Sequence, residues 1–345
     1  MGAMLAAWLH NLDPYAIKLW EGGPIRWYGL SYLAGFVIAY FVVRRVARCG
    51  ISTLRQKDVG DLVFTVALGL MVGGRLGYVL FYKPQMLISF TASPPFWDVL
   101  AINKGGMASH GGMIGLVVAC WIYARRHKHS FAHLLDISAF AAPLGVFCGR
   151  MANFVNGELF GRPTDVPWAV KFPQEILSWN REQLDQLQPL FELLPSPRPD
   201  VLSYDMLITA VQQGNSAIAT AMQDVLPARH PSQIYEALLE GLLVFAVLAV
   251  VWLKPHKPMI IAGLFCTVYA IVRIVGEQFR EPDDHLGFDA LGLTRGQWLS
   301  VALLLAGVVL LVIFSRRQVA PMGGWRCGAG GAENAGNTGT EDAVT

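Results

Sequence analysis

Arginine, histidine and glutamate fall in this chain where hydrocarbon-like sequence should exclude them. Arg75 and Arg273 sit inside runs of Leu, Val, Ala and Gly, and Arg150 closes a third such run. A charge inside a membrane span costs about 3 kcal/mol or more unless it is paired or hydrated, so each is first of all a functional candidate. Residues 149–163, GRMANFVNGELFGRP, carry Arg150, Asn153, Asn156 and Glu158 within nine residues, with Gly157 and Gly161 among them. Glycine turns expose backbone amide donors, and amides beside an arginine suit a phosphate or glycerol headgroup. An interfacial loop cap is the plainer alternative, and it fits Asn156 better than Arg150 and Asn153 together.

Tyr269, Arg273, Glu277 and Arg280 are spaced i, i+4, i+8 and i+11, which keeps them on one helix face. Arg273 with Glu277 alone would read as a packing ion pair; continuation into Arg280 and the REPDD turn points to a site. His110 opens the run HGGMIG, whose Gly111 and Gly115 form a close-packing GxxxG pair that needs no histidine at its lip. Gly69, Gly73 and Gly77 repeat the pattern as a structural feature. Tyr28 and Tyr32 share a face beside Trp27; interfacial anchoring accounts for the tryptophan, and both anchoring and function stay open for Tyr28. In RHPSQ, residues 229–233, Pro231 marks a helix entry. Glu236 and Glu240 follow one turn apart, read either as capping that helix or as partners of a site arginine.

A scaffold must hold these groups. Of 345 residues, 54% are hydrophobic and 15% charged, against about 25% charged in soluble proteins. Together with a mean hydropathy of +0.42, this predicts an all-α integral membrane protein. A net charge of +2 gives no bulk attraction to nucleic acid. The five scattered cysteines read as reduced packing residues, with no metal site and no disulfide.

Apolar runs at residues 27–43, 61–82, 110–124, 131–149, 235–253, 259–277 and 298–314 predict about seven helices, each near the ~20 residues a span needs. Basic residues cluster after the first, third, fifth and seventh, which places the N-terminus outside and the C-terminus in the cytoplasm. Arg75 and Arg273 then lie ~21 Å along their spans, in the outer half with His110, Arg150 and Tyr28. Residues 1–26 read as a retained interfacial segment with Trp8 and Trp20. Residues 27–317 read as the catalytic membrane domain, with residues 150–234 a small extracytoplasmic helical head. Residues 318–345, rich in Gly, Ala, Asn and Thr past 323, read as a disordered cytoplasmic tail dispensable beyond Met322. A transporter would place polar residues through both leaflets, and an intramembrane protease would need a catalytic pair at matched depth; neither pattern is present.

Six motifs together resemble the bacterial phosphatidylglycerol:prolipoprotein diacylglyceryl transferase family over most of residues 20–315. They are RWYGLSYLAGF at Arg26, GGRLGYVLFY at Gly73, GGMASHGGMIG at Gly105, GRMANFVNGELFGRP at Gly149, RHPSQIYEALLEG at Arg229 and VRIVGEQFREPD at Val272. The resemblance implies seven membrane helices in the bacterial inner membrane, a site facing the outer leaflet, and no cofactor. It implies transfer of a diacylglyceryl group from phosphatidylglycerol to the lipobox cysteine of a prolipoprotein. The matching positions are Tyr28, His110, Arg150, Asn153, Glu158, Gly161, Arg273 and Glu277. In that chemistry His110 accepts the thiol proton or holds the thiolate, Arg150 and Arg273 grip phosphate, and Glu277 orients Arg273. Arg75, Asn156 and Arg280 are the remaining substrate-binding candidates. The stretch from Pro163 to Arg229 and the tail depart from the family pattern.

Overall fold

The computed structural model describes residues 7–17, 25–92, 94–101, 105–194, 204–281 and 295–324. Its α-helices are α1 (Trp27–Cys49), α2 (Val59–Phe81), α3 (Ser109–His127), α4 (Phe131–Asn156), α5 (Arg181–Asp185), α6 (Tyr204–Gln212), α7 (Ser216–Val225), α8 (Ser232–Glu236), α9 (Val244–Trp252), α10 (Ile260–Gly276) and α11 (Arg295–Arg316). A π-helical turn, Ala237–Leu243, joins α8 to α9. Among the described residues, five runs are long and apolar enough to cross a membrane: Trp27–Cys49, Gln56–Phe81, Phe131–Asn156, Ser232–Trp252 and Gly296–Arg316. Helices α3 and α10 lie on the other two predicted spans; α10 is apolar but has 17 residues, and α3 ends in Arg125, Arg126 and His127. The fold is mostly helical, as expected, with four short strands among the described residues. β1 (Trp8–Leu9) pairs in parallel with β4 (Val170–Lys171), and β2 (Tyr15–Ile17) pairs antiparallel with β3 (Ile25–Arg26).

The chain forms two compact units. One comprises Met1–Gly35, Pro143–Val244 and Val268–Leu304; the other comprises Phe36–Ala142, Phe245–Thr267 and Leu305–Thr345.

In the second unit, α2 and α3 meet along the predicted glycines. A methyl group on Gly73 would lie 2.3 Å from the Gly111 carbonyl oxygen, and one on Gly115 would lie 2.0 Å from that of Gly69. No side chain fits between backbones this close. Arg75 leaves this helix toward the backbone carbonyls of a loop. Its Nε donates to Val99 O (2.8 Å), Nη1 to Gly105 O (2.5 Å) and Gly106 O (3.0 Å), and Nη2 to Asp98 O (2.5 Å) and Ala101 O (3.2 Å). These use all five guanidinium N–H groups. The substrate-binding expectation for Arg75 is therefore replaced by a structural role. Arg75→Lys, with three donors on a differently shaped head, should strand buried carbonyls and cost roughly 3 kcal/mol or more. The expected result is a lower Tm with early proteolysis near residues 98–106; unchanged stability would show that the loop holds itself.

Asp136, fully buried within α4, accepts the backbone N–H of Met259 (2.7 Å) and of Ala262 (2.8 Å). It satisfies donors that a helix start leaves open, which explains an acid inside an apolar run without any ligand.

The tail expectation is corrected from Met322 to Gly324. Gly323 exchanges two backbone hydrogen bonds with Ile51 (2.7 and 2.9 Å), and Met322 exchanges two with His256 (2.8 and 2.9 Å). Gly323 and Gly324 are buried with φ of 82° and 83°, conformations glycine adopts without a Cβ penalty. Composition suggested disorder because these bonds involve no side chains. Truncation after Ala320 should therefore leave a protein less stable than truncation after Gly324, by about 2–4 kcal/mol for four bonds at about 1 kcal/mol each. Equal melting of the two proteins would remove the clasp. Cys49 corrects the cysteine reading: it is disulfide-bonded, whereas Cys120, Cys148 and Cys266 are free.

In the first unit, residues between α4 and α8 form a small helical body around Leu187, Leu207, Ile218 and Met222, all fully buried. The N-terminal segment is built into it rather than lying free. Leu9 joins its core, and the buried His10 donates through Nε2 to the Phe154 carbonyl (2.7 Å). Burial among rings lowers the His10 pKa to about 4. Trp8 remains 44% exposed, and Trp20 lies outside the described residues.

Candidate active site

Three helical segments of the first unit deliver ionisable groups to one buried cluster. Arg150 comes from α4, Glu236 and Glu240 from α8 and the π-turn, and Tyr269 and Arg273 from α10, with Glu277 and Arg280 just beyond it. Arg150 Nη1 lies 2.9 Å from Glu236 Oε2, and its Nη2 lies 3.0 Å from Glu240 Oε2. Arg273 Nη1 contacts Glu236 Oε1 at 2.5 Å and Glu240 Oε1 at 2.9 Å, while Nη2 meets Glu277 Oε2 at 3.0 Å. The Tyr269 hydroxyl donates to Glu240 (3.2 Å), and Arg280 stands 3.9 Å from Glu236. The predicted stripe on α10 thus works as one face, and Glu277 does contact Arg273. The side chains of Glu236 and Glu240 have no exposed surface, whereas Arg150 and Arg273 keep 15% and 13%. A ligand reaches the guanidiniums before it reaches the acids.

A loop after α4 adds the neutral groups. With its amide nitrogen turned toward them, Asn153 donates to Glu158 Oε1 (3.1 Å) and Gly149 O (3.2 Å). Burial raises the Glu158 carboxyl above the usual range, opposed by a hydrogen bond from Asn156. Tyr28 packs on Tyr32, with ring centroids 5.2 Å apart, and lies within electrostatic reach of Glu158 and Arg150. Gly161 donates to His230 O (3.0 Å) and Arg162 to Phe279 O (2.9 Å), so three of the sequence motifs are zipped together by backbone. A Cβ on Gly161 would meet both of those carbonyl oxygens at 2.5 Å. Gly161→Ala should force the strands apart at about 1–3 kcal/mol, lowering Tm and activity together; normal values for both would show that the junction yields freely.

Arg229, read from sequence as part of a helix entry, buttresses that junction. It grips Glu175 bidentately (2.6 and 2.6 Å), reaches Gly161 O (3.0 Å) and Glu281 (2.9 Å), and lies over the Phe160 ring. These acids hold its pKa above the ordinary arginine value against the cost of burial. His110 and Arg75 belong to the second unit. His110 is exposed at the second position of α3, and its ring makes no hydrogen bond or ion pair among the described residues.

The motifs thus converge on paired arginines. Residues 14–313 match the family described as prolipoprotein diacylglyceryl transferase. The chain belongs to that family. A phosphatidylglycerol–prolipoprotein diacylglyceryl transferase of Bdellovibrio bacteriovorus is 45% identical over 343 residues, covering 93% of this chain and 97% of its own. Enzymes of the same name from Geobacter sulfurreducens and Idiomarina loihiensis are 38% and 36% identical, covering 90% and 87% of this chain and 98% and 92% of their own lengths. The cluster also contains Glu236 and Glu240, which the sequence left open as a helix cap or as partners of a site arginine. Their one signal was an i, i+4 pair of acids inside an apolar run, which also describes a helix cap.

Proposed function

We propose that this protein transfers the sn-1,2-diacylglyceryl group from phosphatidylglycerol to the thiol of a prolipoprotein lipobox cysteine. The thiol sulfur attacks glycerol C3 of the lipid, the C–O bond to phosphate breaks, and glycerol 1-phosphate leaves as the thioether forms. The substrate is the nucleophile, so the protein supplies an anion clamp and a place for one proton. Arg150 and Arg273 bind phosphate oxygens and stabilise the charge that grows on the leaving group. Tyr28, Asn153, Asn156, Glu158, Gly161 and Arg280 line the headgroup. The role of His110, as acceptor of the thiol proton or holder of the thiolate, rests on its family motif. Seven spans, an outer N-terminus, an inner C-terminus and a site open to the outer leaflet follow from the basic residues flanking the spans. They would let the lipid enter sideways with its acyl chains still in hydrocarbon. The family match carries the reaction, and two partly exposed arginines backed by buried acids carry the phosphate reading. The test is incubation of the purified protein with phosphatidylglycerol and a lipobox peptide. Diacylglyceryl thioether on the cysteine with equimolar glycerol 1-phosphate is expected; the absence of both would overturn the reading.

A further inference from the structure

We propose that Glu236 and Glu240 together are the positioning element of this site, a buried template that sets the spacing of Arg150 and Arg273 before lipid arrives. The proposal rests on the reading that these arginines bind the headgroup phosphate. Each acid gives its Oε2 to Arg150 and its Oε1 to Arg273. The separation of the guanidiniums is thereby fixed twice by the width of a carboxylate. Among the described residues, only these two acids bridge both arginines in this way. Each guanidinium has five N–H groups against three carboxylate contacts, so donors remain for a ligand.

Stability is a poor reason for such a cluster, because buried ion pairs often do no better than well-packed apolar residues. Two acids with no exposed surface, one turn apart, also repel each other. Geometry is the better reason. Glu240 lies within the π-turn Ala237–Leu243, and single π-turns concentrate at functional sites. The Tyr269 hydroxyl on Glu240 ties the template to α10, the helix that carries Arg273. The acids act through the arginines and need not touch substrate.

Glu236→Gln and Glu240→Gln keep the side-chain shape but turn an amide donor toward an arginine donor and remove one negative charge. The expected result is a split. Turnover at saturating lipid falls about 100-fold, the scale of a reacting group misplaced by about 1 Å. The KM for short-chain phosphatidylglycerol holds or falls, because the arginines lose a competing anion. A merely structural role lowers Tm and the active fraction without tightening lipid binding. Near wild-type kcat, or a KM that rises as kcat falls, would overturn the proposal. Should neither glutamine variant fold, Glu240→Asp retains the charge and withdraws it by one methylene; lowered kcat with unchanged KM is then expected, and wild-type kcat is the contrary result. Failure of the clamp itself looks different: the wild-type protein would show no thermal shift with short-chain phosphatidylglycerol, and the template would fall with it.

Discussion

Arg150→Lys and Arg273→Lys enzymes should insert and fold yet form thioether about 100-fold more slowly, the loss typical when one donor to a developing anion is removed. Two deficits combine. An ammonium is a point charge and cannot meet two phosphate oxygens in one plane. It also cannot span the acids as Arg273 does, with Nη1 on Glu236 and Glu240 and Nη2 on Glu277. The measurement is single-turnover transfer at saturating phosphatidylglycerol, with Tm as the control for folding. Full activity in both lysine variants would mean that the arginines are structural or act by net charge alone.

His110→Gln should remove about 100- to 10,000-fold of the activity, the range general base catalysis contributes. Its position makes the result easy to interpret. The ring is exposed at the start of α3 and holds up no described part of the fold. Glutamine keeps a polar side chain of similar reach but cannot accept the thiol proton at neutral pH. Tm should therefore stay at the wild-type value while turnover collapses. Wild-type turnover by the well-folded variant would take histidine out of the mechanism.

Legibility in the sequence followed the range and kind of each interaction. Glycine repeats announced the α2–α3 seam because close backbone approach admits no other residue. The α10 stripe was readable because helical periodicity alone aligns Tyr269, Arg273 and Glu277. Arg75 was misread because its partners are backbone carbonyls, which have no residue-type signature. Glu240 was undervalued because its arginine partner lies 90 positions away, and local spacing cannot distinguish a cap from such a bridge. The pairing of Met322 and Gly323 was missed for the same reason as the Arg75 cage. Backbone bonds and left-handed glycines look, in composition, like a chain with nothing to hold. The head was legible as helical, but the recruitment of Trp8 and Leu9 into a strand with Val170 and Lys171 was not, since two-residue strands carry no period.

The clasp at Met322 and Gly323 also bears on the order in which the molecule is made. A ribosome delivers this chain from its first residue to its last, and domains generally begin folding as they emerge. Ile51 and His256 are synthesised long before the two residues that bridge toward them. A nascent chain halted at Arg316 already holds every described helix, but its second unit lacks the bonds that close it. Completion of that unit therefore waits for residues synthesised after α11, so emergence of the last described helix does not by itself mark the moment at which the unit can close.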